Sequence, residues 1–349
     1  MSLPRSYRAY RRTPGDVPRS IEVTIEHLPT ELGSDDVIIK IHAISLNFRD
    51  AGMLDGRYIF PTPERGVPAS DAAAEVMAIG SNVKNFKIGD RVSPVLTFKD
   101  PMAEGPGAEL DKLGDEVGVL AEYAVFNENA LVHIPKHLSW EEAATIPCCG
   151  VTAWNSLNRL QFESRDPKVF LQGTGGVSMF SLVLCIAAGI VPIISSSSDK
   201  KLDDIRKISS LVKGFNYKSE PDTVKAIREL SGGVGVDVVV NNTGVAAFPT
   251  DLECLRNKKG IISLVGFLDQ EKPVWNYNVL YGLIVKDARL QGIRGGNKFD
   301  AENLNRFLEE KGVKLNSIID RIFDFDDAKA AFDHLGSGKH VGKVVIKVC

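Results

Sequence analysis

The sequence predicts an α/β protein of two domains, one rich in β-strands and one built on a doubly wound parallel sheet. The length of 349 residues corresponds to about two domains at roughly 150 residues each. Short alternating strands with Gly and Pro turns fill the first third, whereas apolar β-branched strands alternate with helices from about residue 150. A Gly-rich turn joins the first of these apolar strands to its helix.

The composition is that of an ordinary folded chain and argues against several functional classes. Apolar residues make up 44% and charged residues 25%, as in a typical globular protein. A net charge of −3 provides no basic excess for a nucleic-acid backbone. Five cysteines form no disulfide framework, and no apolar stretch follows the arginines of the N-terminus. We therefore expect a cytoplasmic protein without nucleic-acid or membrane partners.

In the first third, the pattern predicts a strand over residues 37–46 and a broken β pattern over 71–92. Residues 96–118 contain Pro, Gly and acidic residues without periodicity, which indicates a surface lobe that we expect to shape the substrate mouth. Ser139 and Glu142 form a capping-box pattern, so a helix begins there and ends before Pro147.

The second part reads as a parallel α/β domain. Strands are predicted at 169–171, 190–194, 236–240 and 261–265. The apolar tract 177–194 has the length of a membrane span, but polar and breaking residues divide it into a helix ending at Gly189 and the next strand. A strand at 290–293, two helices and a final strand at 344–346 follow. We predict a discontinuous β-rich domain, 1–149 and 289–349, around a cofactor domain at 150–288.

The most specific motif is the run GTGGVS at residues 173–178, which follows a strand and opens an apolar helix. Small residues at such a turn let the backbone approach a pyrophosphate, whose charge lies at the helix N-terminus. The alternative is a Gly-rich turn without a ligand. The position of the run within a strand-turn-helix-strand unit favours dinucleotide binding.

The end of the second parallel strand favours NADP(H) over NAD(H). An NAD site usually has an acidic residue there, whereas this chain has four serines, Ser195 to Ser198, followed by Asp199 and Lys201. Hydroxyl groups and a lysine can bind a 2′-phosphate. Asp199 is the alternative ribose ligand, although we expect it to be a helix N-cap.

The order of six motifs resembles the medium-chain dehydrogenase/reductase superfamily. It is most similar to the zinc-free quinone oxidoreductase and alkene reductase branch, with its fungal alcohol-dehydrogenase-like members. The resemblance covers nearly the whole chain and implies a GroES-like catalytic domain and a Rossmann cofactor domain. The motifs are NFRD at 47–50, GDRV at 89–92, AATIP at 143–147, TAW at 152–154, the Gly-rich turn and GKVVI at 342–346.

The resemblance also implies that zinc is absent. Zinc-dependent relatives supply two cysteines and a His-Glu pair to a catalytic metal. The matching positions here are Asn47, Ser70-Asp71 and Cys148, so only one thiol remains. The lobe after residue 91 has no cysteine for a structural zinc, and we interpret Cys148 and Cys149 as buried small residues.

Without a metal, hydride transfer depends on placing the nicotinamide against an electron-poor carbon and on hydrogen bonds to the oxygen that gains charge. The resemblance places Asn47, Asp50 and Tyr58 near the nicotinamide and Thr152 beside its ribose or carboxamide. We expect Tyr58 to polarise or protonate the substrate oxygen, the alternative being a packing aromatic. Arg49 is expected to pair with Asp50 or Asp71.

The remaining implied contacts concern the cofactor. For the residues at strand ends, the alternative is that they are ordinary structural residues without a cofactor contact. Asn241 and Asn242 also lie at a strand end, and we expect them to change the adenosine side of the site. The implied residues are Gly173, Thr174, Gly175, Gly176 and Val177 at the turn, Ser196, Ser197, Ser198 and Lys201 at the 2′-phosphate, Tyr217 near the adenosine phosphate, Thr243, Val265, Gly266 and Phe267 at later strand ends, and Gly292 and Lys343 on the nicotinamide side.

Three functions remain open at this point. The first is an NADPH-dependent reductase of an activated C=C bond in a small enone or quinone. The second is a zinc-free alcohol dehydrogenase or carbonyl reductase of specialised metabolism, and the third is a cofactor-binding protein without turnover, like the zeta-crystallin relatives. A hydrolase has no support because no histidine accompanies a recognisable nucleophile. The resemblance also implies a homodimer that pairs through the strand at 290–293.

Overall fold

The computed structural model describes residues 3–97, 113–266, 268 and 277–349. The chain divides into two compact units. Unit 1 comprises Met1–Val151 and Gly295–Cys349, and unit 2 comprises Thr152–Arg294. The sequence predicts domain limits at 149/150 and 288/289. In the structure the chain passes from one unit to the other at 151/152 and 294/295. Most of the predicted lobe at 96–118 lies outside the described residues.

Unit 1 contains most of the strands. Its elements are β1 (Ser6–Arg12), β2 (Ile21–His27), β3 (Asp36–Leu46), α1 (Phe48–Asp55), β4 (Asp71–Ile79), β5 (Arg91–Pro94), β6 (Tyr123–Asn127), β7 (Leu131–His133), α2 (Trp140–Ala143), a π-helix (Ile146–Gly150), and, after unit 2, α9 (Lys298–Glu310), β14 (Ile319–Asp324), α10 (Ala328–Gly336) and β15 (Lys343–Lys347).

Unit 2 alternates strands with helices. Its elements are α3 (Val151–Ser156), whose first residue belongs to unit 1, β8 (Lys168–Leu171), α4 (Gly176–Ala187), β9 (Val191–Ser196), α5 (Asp199–Arg206), β10 (Lys213–Asn216), α6 (Thr223–Leu230), β11 (Val238–Asn241), α7 (Phe248–Cys254), β12 (Ile261–Leu264), α8 (Tyr281–Val285) and β13 (Arg289–Gly292).

The core of unit 1 is built around β3. This strand pairs with β4, β6 and β15, all antiparallel, in a seven-stranded sheet, while β1 and β2 form a separate hairpin. The apolar side chains of β3, including Ile39, Ile41 and Ile44, are fully buried and pack with Phe332 of α10. The predicted strand at 37–46 is confirmed as β3, whereas the sequence pattern does not predict β1, β2, β6, β7 or β14.

Unit 2 is a doubly wound parallel sheet. Its strand order is β10-β9-β8-β11-β12-β13, and every neighbouring pair is parallel. The first strand along the chain, β8, therefore lies beside the fourth, β11, and the order reverses between them. Ligands of such sheets bind outside the carboxyl ends of the strands at this reversal. The predicted strands are confirmed, and the short β10 was missed.

Pro192 lies inside β9, where a proline normally removes a sheet hydrogen bond. The N–H of Val191 donates to the carbonyl of Pro167 on the β8 side, so the Pro192 nitrogen faces the β10 side. The register with β10 begins one residue later, at Ile193. The proline therefore costs no ladder bond.

The two helix predictions with clear end signals are confirmed. Ser139 caps α2, since its Oγ accepts the N–H of Glu142 while the Glu142 carboxylate accepts the N–H of Ser139. The other carboxylate oxygen of Glu142 accepts the N–H groups of Leu315 and Asn316, which ties together the two chain segments of unit 1. Helix α4 ends at Ala187, before Gly189. Within the described ranges, no helix is long and apolar enough to cross a membrane.

Candidate functional site

In unit 1, the predicted catalytic residues Asn47 and Asp50 lie at the start of α1. Asn47 is the N-cap, and Asp50 accepts its backbone N–H at Oδ2 over 2.7 Å. The Asp50 side chain is 1% exposed, and this burial raises its pKa to about 6, although Arg49 opposes the rise. Asp50 therefore fixes the backbone of Asn47 at the helix start, where a carboxylate is favourable.

Lys343, predicted to lie on the nicotinamide side, is buried in unit 1 at 2% exposure. Its Nζ donates to the carbonyl of Leu46 over 2.7 Å and to Oδ1 of Asn47 over 2.6 Å. The same ammonium lies 3.9 Å from Oδ2 of Asp71. Because Lys343 can only donate, it fixes which end of the Asn47 amide faces it.

Asp71 completes this buried cluster at the start of β4. Its Oδ1 accepts the hydroxyl of Ser70 over 2.9 Å and the N–H of Cys148 over 3.0 Å. Burial raises the pKa of Asp71, and Lys343 opposes part of the rise. Cys149 is buried, and burial raises the pKa of its thiol to about 12. The prediction of two buried cysteines is wrong for Cys148, which is partly exposed.

The residues of this cluster do not fit a catalytic zinc. The donors at the matching positions are the amide of Asn47, the carboxylate of Asp71 and the thiol of Cys148. The amide oxygen already accepts a bond from Lys343, whose positive charge beside Asp71 would repel a metal ion. In the part of the chain that the structure describes, no three His, Cys, Asp or Glu side chains are arranged to hold a metal.

Tyr58 lies against Arg49. The Nε of Arg49 donates to the Tyr58 hydroxyl over 3.3 Å, and the guanidinium lies 5.2 Å from the centre of the phenol ring. Burial raises the pKa of Tyr58, while Arg49 lowers it. The prediction that Arg49 pairs with Asp50 or Asp71 is wrong: its ion-pair partner is Asp115, because the segment at 113–115 returns past the start of α1.

Sequence reasoning missed Arg12, which is fully buried in unit 1. Its guanidinium donates to the carbonyl of Gly114 over 2.8 Å, and Arg49 donates to the neighbouring carbonyl of Leu113 over 2.7 Å. Burial lowers the pKa of Arg12 to about 10. Gly66 belongs to this contact, since a Cβ there would lie 2.1 Å from the guanidinium. No local pattern marks Arg12, because it is one of several arginines near the N-terminus.

In unit 2, the Gly-rich turn has the shape of a phosphate site. Gly173 has φ of +74°, and Gly175 is the extended N-cap of α4. A Cβ added at either glycine would meet nothing within 4 Å, so protein packing does not require these glycines. The turn therefore leaves open space before a helix N-terminus, which fits a dinucleotide pyrophosphate. Thr174, Gly176 and Val177 belong to the same turn and the first turn of α4.

The serines at the end of β9 lead into the N-terminus of α5. Ser198 is the N-cap, whose Oγ accepts the N–H of Lys201, and the Oγ of Ser196 accepts the N–H of Ser198. The prediction of Asp199 as the N-cap is wrong, because Asp199 is the first helical residue and accepts a bond from the Asn216 amide over 3.0 Å. Ser197 is exposed.

Other predicted cofactor residues lie at or after strand ends of unit 2. Tyr217, after β10, is 45% exposed and donates its backbone N–H to Ser196. Thr243 follows β11 and donates to the side-chain oxygen of Gln172 over 2.9 Å. Val265 donates its N–H to the carbonyl of Asn241, the last residue of β11. The carboxyl ends of β8, β9, β10, β11 and β12 therefore carry most of the predicted cofactor set.

The other predicted site residues within the described ranges, Gly266, Gly292 and Thr152, have different surroundings. Gly266 is required by packing, because a Cβ there would lie 1.9 Å from the carbonyl of Asn242. At Gly292 a Cβ would meet nothing within 4 Å. Thr152 is buried in α3 of unit 2. Phe267 lies outside the described residues. The structure thus brings Asn47, Asp50 and Lys343 together in unit 1, and the phosphate turn and strand ends together in unit 2.

Comparison with known proteins identifies the family of this chain. The alcohol dehydrogenase GroES-like domain model matches residues 33–136, and the zinc-binding dehydrogenase model matches residues 176–310. A zinc-type alcohol dehydrogenase-like protein of Schizosaccharomyces pombe is 34% identical over 92% of this chain and 93% of its own length. A quinone oxidoreductase of Pseudomonas aeruginosa is 28% identical over 92% and 94%.

A solved structure from Sinorhizobium meliloti, classed with the alcohol dehydrogenases, is 32% identical and has a TM-score of 0.89, covering 99% of this chain and 100% of that one. These matches confirm the GroES-like and Rossmann prediction for the α/β fold, and they confirm the family that the order of the motifs indicated. The chain belongs to the medium-chain dehydrogenase/reductase superfamily of NAD(P)H-dependent oxidoreductases.

Proposed function

We propose that the protein is a zinc-independent, NADPH-dependent reductase that delivers hydride to the activated C=C bond of an enone or quinone. The observation that carries this proposal is the position of the Lys343 ammonium. It donates a hydrogen bond to Asn47 and lies near the carboxylate of Asp71, at the positions where zinc-dependent relatives bind a metal. A site without a metal must polarise the substrate oxygen by hydrogen bonds alone.

Unit 2 is the cofactor-binding part under this proposal. The open turn at Gly173 and Gly175 would hold the pyrophosphate of the cofactor, and a bound reduced nicotinamide would supply the hydride. Ser197, Ser198 and Lys201 bind the 2′-phosphate at the N-terminus of α5. Asp199 is the alternative ribose ligand, since its carboxylate accepts one bond from Asn216 and can accept others.

Unit 1 supplies the groups for the substrate oxygen. A phenol is protonated at neutral pH, and burial raises the pKa of Tyr58 further, so its hydroxyl can donate to the oxygen of an enone. As hydride adds to the β carbon, negative charge develops on that oxygen, and Tyr58 stabilises or protonates the resulting enolate. The Arg49 guanidinium beside the phenol oxygen stabilises the charge that Tyr58 acquires when its proton leaves.

A zinc-free alcohol dehydrogenase or carbonyl reductase is the second candidate. The relatives from S. pombe and S. meliloti that carry alcohol-dehydrogenase names favour it. The same Tyr58 donor would serve this reaction, since a ketone oxygen also gains charge when hydride arrives. The two candidates differ only in the carbon that receives the hydride.

We also propose a homodimer that forms through unit 2. Among the described strands, β13 is the last of its sheet, so it has one unpaired edge. Apolar side chains are exposed along this edge and on α8: Leu290 at 42%, Ile284 at 76% and Val285 at 83%. Exposed apolar residues next to an open strand edge are typical of an interface between two copies.

Transfer of deuterium from labelled NADPH distinguishes reduction of a C=C bond from reduction of a carbonyl group. We expect NADPH deuterated at C4, offered in both epimeric forms with enones, quinones, aldehydes and ketones, to place deuterium on the carbon β to a carbonyl. Mass spectrometry and NMR locate the label. Deuterium at a carbinol carbon would establish the second candidate instead, and cofactor binding without any labelled product would favour a binding protein without turnover.

Replacing Tyr58 by Phe should lower kcat by about 100-fold, the size of a lost general acid. The Kd for NADPH should stay within twofold, because the phenol acts on the substrate. The matched control is Tyr123→Phe, another tyrosine of unit 1, whose ring packs against Tyr7. Steady-state kinetics and cofactor titration measure both values. An unchanged kcat in Tyr58→Phe would leave this tyrosine as a packing residue.

Replacing Lys201 by Ala should raise the Kd for NADPH by about tenfold, because one charged hydrogen bond to the 2′-phosphate is lost. The Kd for NADH, which has no such phosphate, should change little. The neighbouring exposed Lys200→Ala serves as the control. Fluorescence titration of both cofactors measures the ratio. Equal weakening of NADPH and NADH would contradict the assignment of Lys201 to the phosphate.

The variant Ile284→Glu should be a monomer, since it places a carboxylate in the apolar surface of α8. Analytical ultracentrifugation should show the wild type as a dimer and this variant at half its mass. Ile88→Glu replaces another largely exposed isoleucine, in unit 1, and should remain dimeric. A monomeric wild type would refute the dimer.

A further inference from the structure

Asp251 of α7 is a fully buried carboxylate that the proposed chemistry does not use. Its Oδ1 accepts the side-chain amide of Gln172 over 2.6 Å, and its Oδ2 accepts the side-chain amide of Asn241 over 2.5 Å. Both partners are neutral. A buried charge held only by two amides is costly, so the arrangement calls for an explanation beyond packing.

The two amides connect Asp251 to both sides of the sheet reversal. Gln172 directly follows β8 and precedes the Gly-rich turn, whereas Asn241 is the last residue of β11. The strand order reverses between β8 and β11, and ligands cross an open sheet at this point. Asp251 therefore lies beneath the place where the cofactor is expected to bind.

A carboxylate can only accept hydrogen bonds, so it decides how both amides are oriented. With its NH2 group directed to Asp251, Gln172 presents its oxygen to Thr243, accepting the hydroxyl over 2.9 Å and the N–H over 3.3 Å. Asn241 likewise presents its oxygen to the N–H of Gly244 over 2.8 Å. The NH2 group of Asn241 also donates to the carbonyl of Gly244 over 3.0 Å, so the carboxylate of Asp251 and the backbone of the turn at 241–244 together hold this amide in one orientation.

We infer that Asp251 is a positioning residue for the nicotinamide cofactor: through Gln172 and Asn241 it holds Thr243 and the turn after β11 in the binding conformation. The inference rests on the proposed cofactor site of unit 2. Thr243 touches the cofactor in this arrangement, and Asp251 acts only through the two amides.

Protonation of Asp251 would disturb this arrangement. A protonated carboxyl has one O–H donor, which would face an NH2 donor, so one amide must turn or lose its bond. Burial raises the pKa of Asp251 to about 7. The carboxylate therefore orients the turn above pH 7, and affinity for the cofactor should fall as the pH drops below this value.

Protonation of Asp251 has the opposite effect on the free energy of unfolding: it stabilises the folded protein although it weakens cofactor binding. Because the pKa in the folded state is above the ordinary aspartate value, the folded protein binds the extra proton between about pH 4 and pH 7. The contribution of Asp251 to the free energy of unfolding therefore falls as the pH rises through this range and is constant above it. Weaker cofactor binding at low pH would thus not be a sign of unfolding caused by Asp251.

The other ionisable groups around α7 make contacts other than with the Asp251 carboxylate. Arg228 of α6 and Lys286 after α8 donate to carbonyls at the C-terminal end of α7, those of Glu253 and Leu252. Glu253 is exposed. Burial, with a smaller effect of Asp251, raises the pKa of Cys254 to about 12, so this thiol stays neutral near pH 7. Asp237 and Lys168 lie at the opposite ends of β11 and β8.

The test measures cofactor binding rather than turnover. We expect the Kd of the wild type for NADH, which lacks the titrating 2′-phosphate, to be about fivefold higher at pH 5.5 than at pH 8.5, as for the loss of one net hydrogen bond. In Asp251→Asn the Kd should be raised about fivefold at pH 8.5 and should no longer depend on pH. Glu253→Gln, a change of the same kind on the exposed face of α7, should behave as the wild type.

A double variant checks the direction of the hydrogen bonds. In Asp251→Asn with Gln172→Glu, the new glutamate can accept from Thr243 and from the new asparagine, whose oxygen can accept from Asn241. Its Kd for NADH at pH 8.5 should be lower than that of Asp251→Asn alone. A merely structural role of Asp251 predicts no such recovery.

Failure of the inference and failure of the proposed function are distinguishable. A wild type that binds neither NADH nor NADPH would overturn the cofactor site itself. A wild type that binds NADH with the same Kd from pH 5.5 to 8.5 would overturn the role of Asp251 alone, and this measurement needs no variant to fold. The role is equally overturned if Asp251→Asn keeps the wild-type Kd and pH profile.

Discussion

The ammonium of Lys343 has almost no access to water, and it depends on three oxygen atoms of unit 1. These are the carbonyl of Leu46, the amide oxygen of Asn47 and, at longer distance, the carboxylate of Asp71. Removing one partner of a buried ion pair costs more free energy than the pair itself contributes. The residues at positions 47, 71 and 343 therefore depend on one another. The start of α1, the start of β4 and the start of β15 are thereby held in one arrangement.

This contact also gives a physical meaning to two separated motifs. In the run at 342–346, Gly342 has φ of +79°, and a Cβ there would lie 2.1 Å from the carbonyl of Ile318. Only glycine permits this approach, after which β15 pairs antiparallel with β3 and Val344 lies opposite Leu46. Lys343 then reaches Asn47, the first residue of the other motif. Residues almost 300 positions apart form one cluster because two strands pair.

In unit 2 the corresponding constraint is the reversal of strand order between β8 and β11. The open glycine turn, the serines after β9 and the turn after β11 all lie at carboxyl ends of parallel strands. Polar side chains there satisfy one another, as Gln172, Asn241 and Asp251 do, because Asn241 and Asp251 are fully buried. The two units thus surround their buried carboxylates differently: in unit 1 the ammonium of Lys343 lies beside Asp71, whereas in unit 2 the carboxylate of Asp251 accepts from two neutral amides.

The sequence by itself determined what depends on neighbouring residues. The 173–178 turn, the capping box at Ser139 and the apolar parallel strands are local patterns, and they predicted the fold class, the helix starts and the phosphate site. The order of the motifs predicted the family. Short or irregular elements such as β10, with Gly214 at its centre, carry too little periodicity to be recognised.

Only the tertiary structure decided the contacts between distant positions. Arg49 pairs with Asp115 rather than with its neighbour Asp50, Lys343 belongs with Asn47, and Arg12 is buried against a returning segment. The role of Asp251 is of the same kind, since an aspartate in a short helix gives no local sign that two amides will bury it. Burial and hydrogen-bond direction arise when strands and loops far apart in sequence pack together, and no local pattern encodes them.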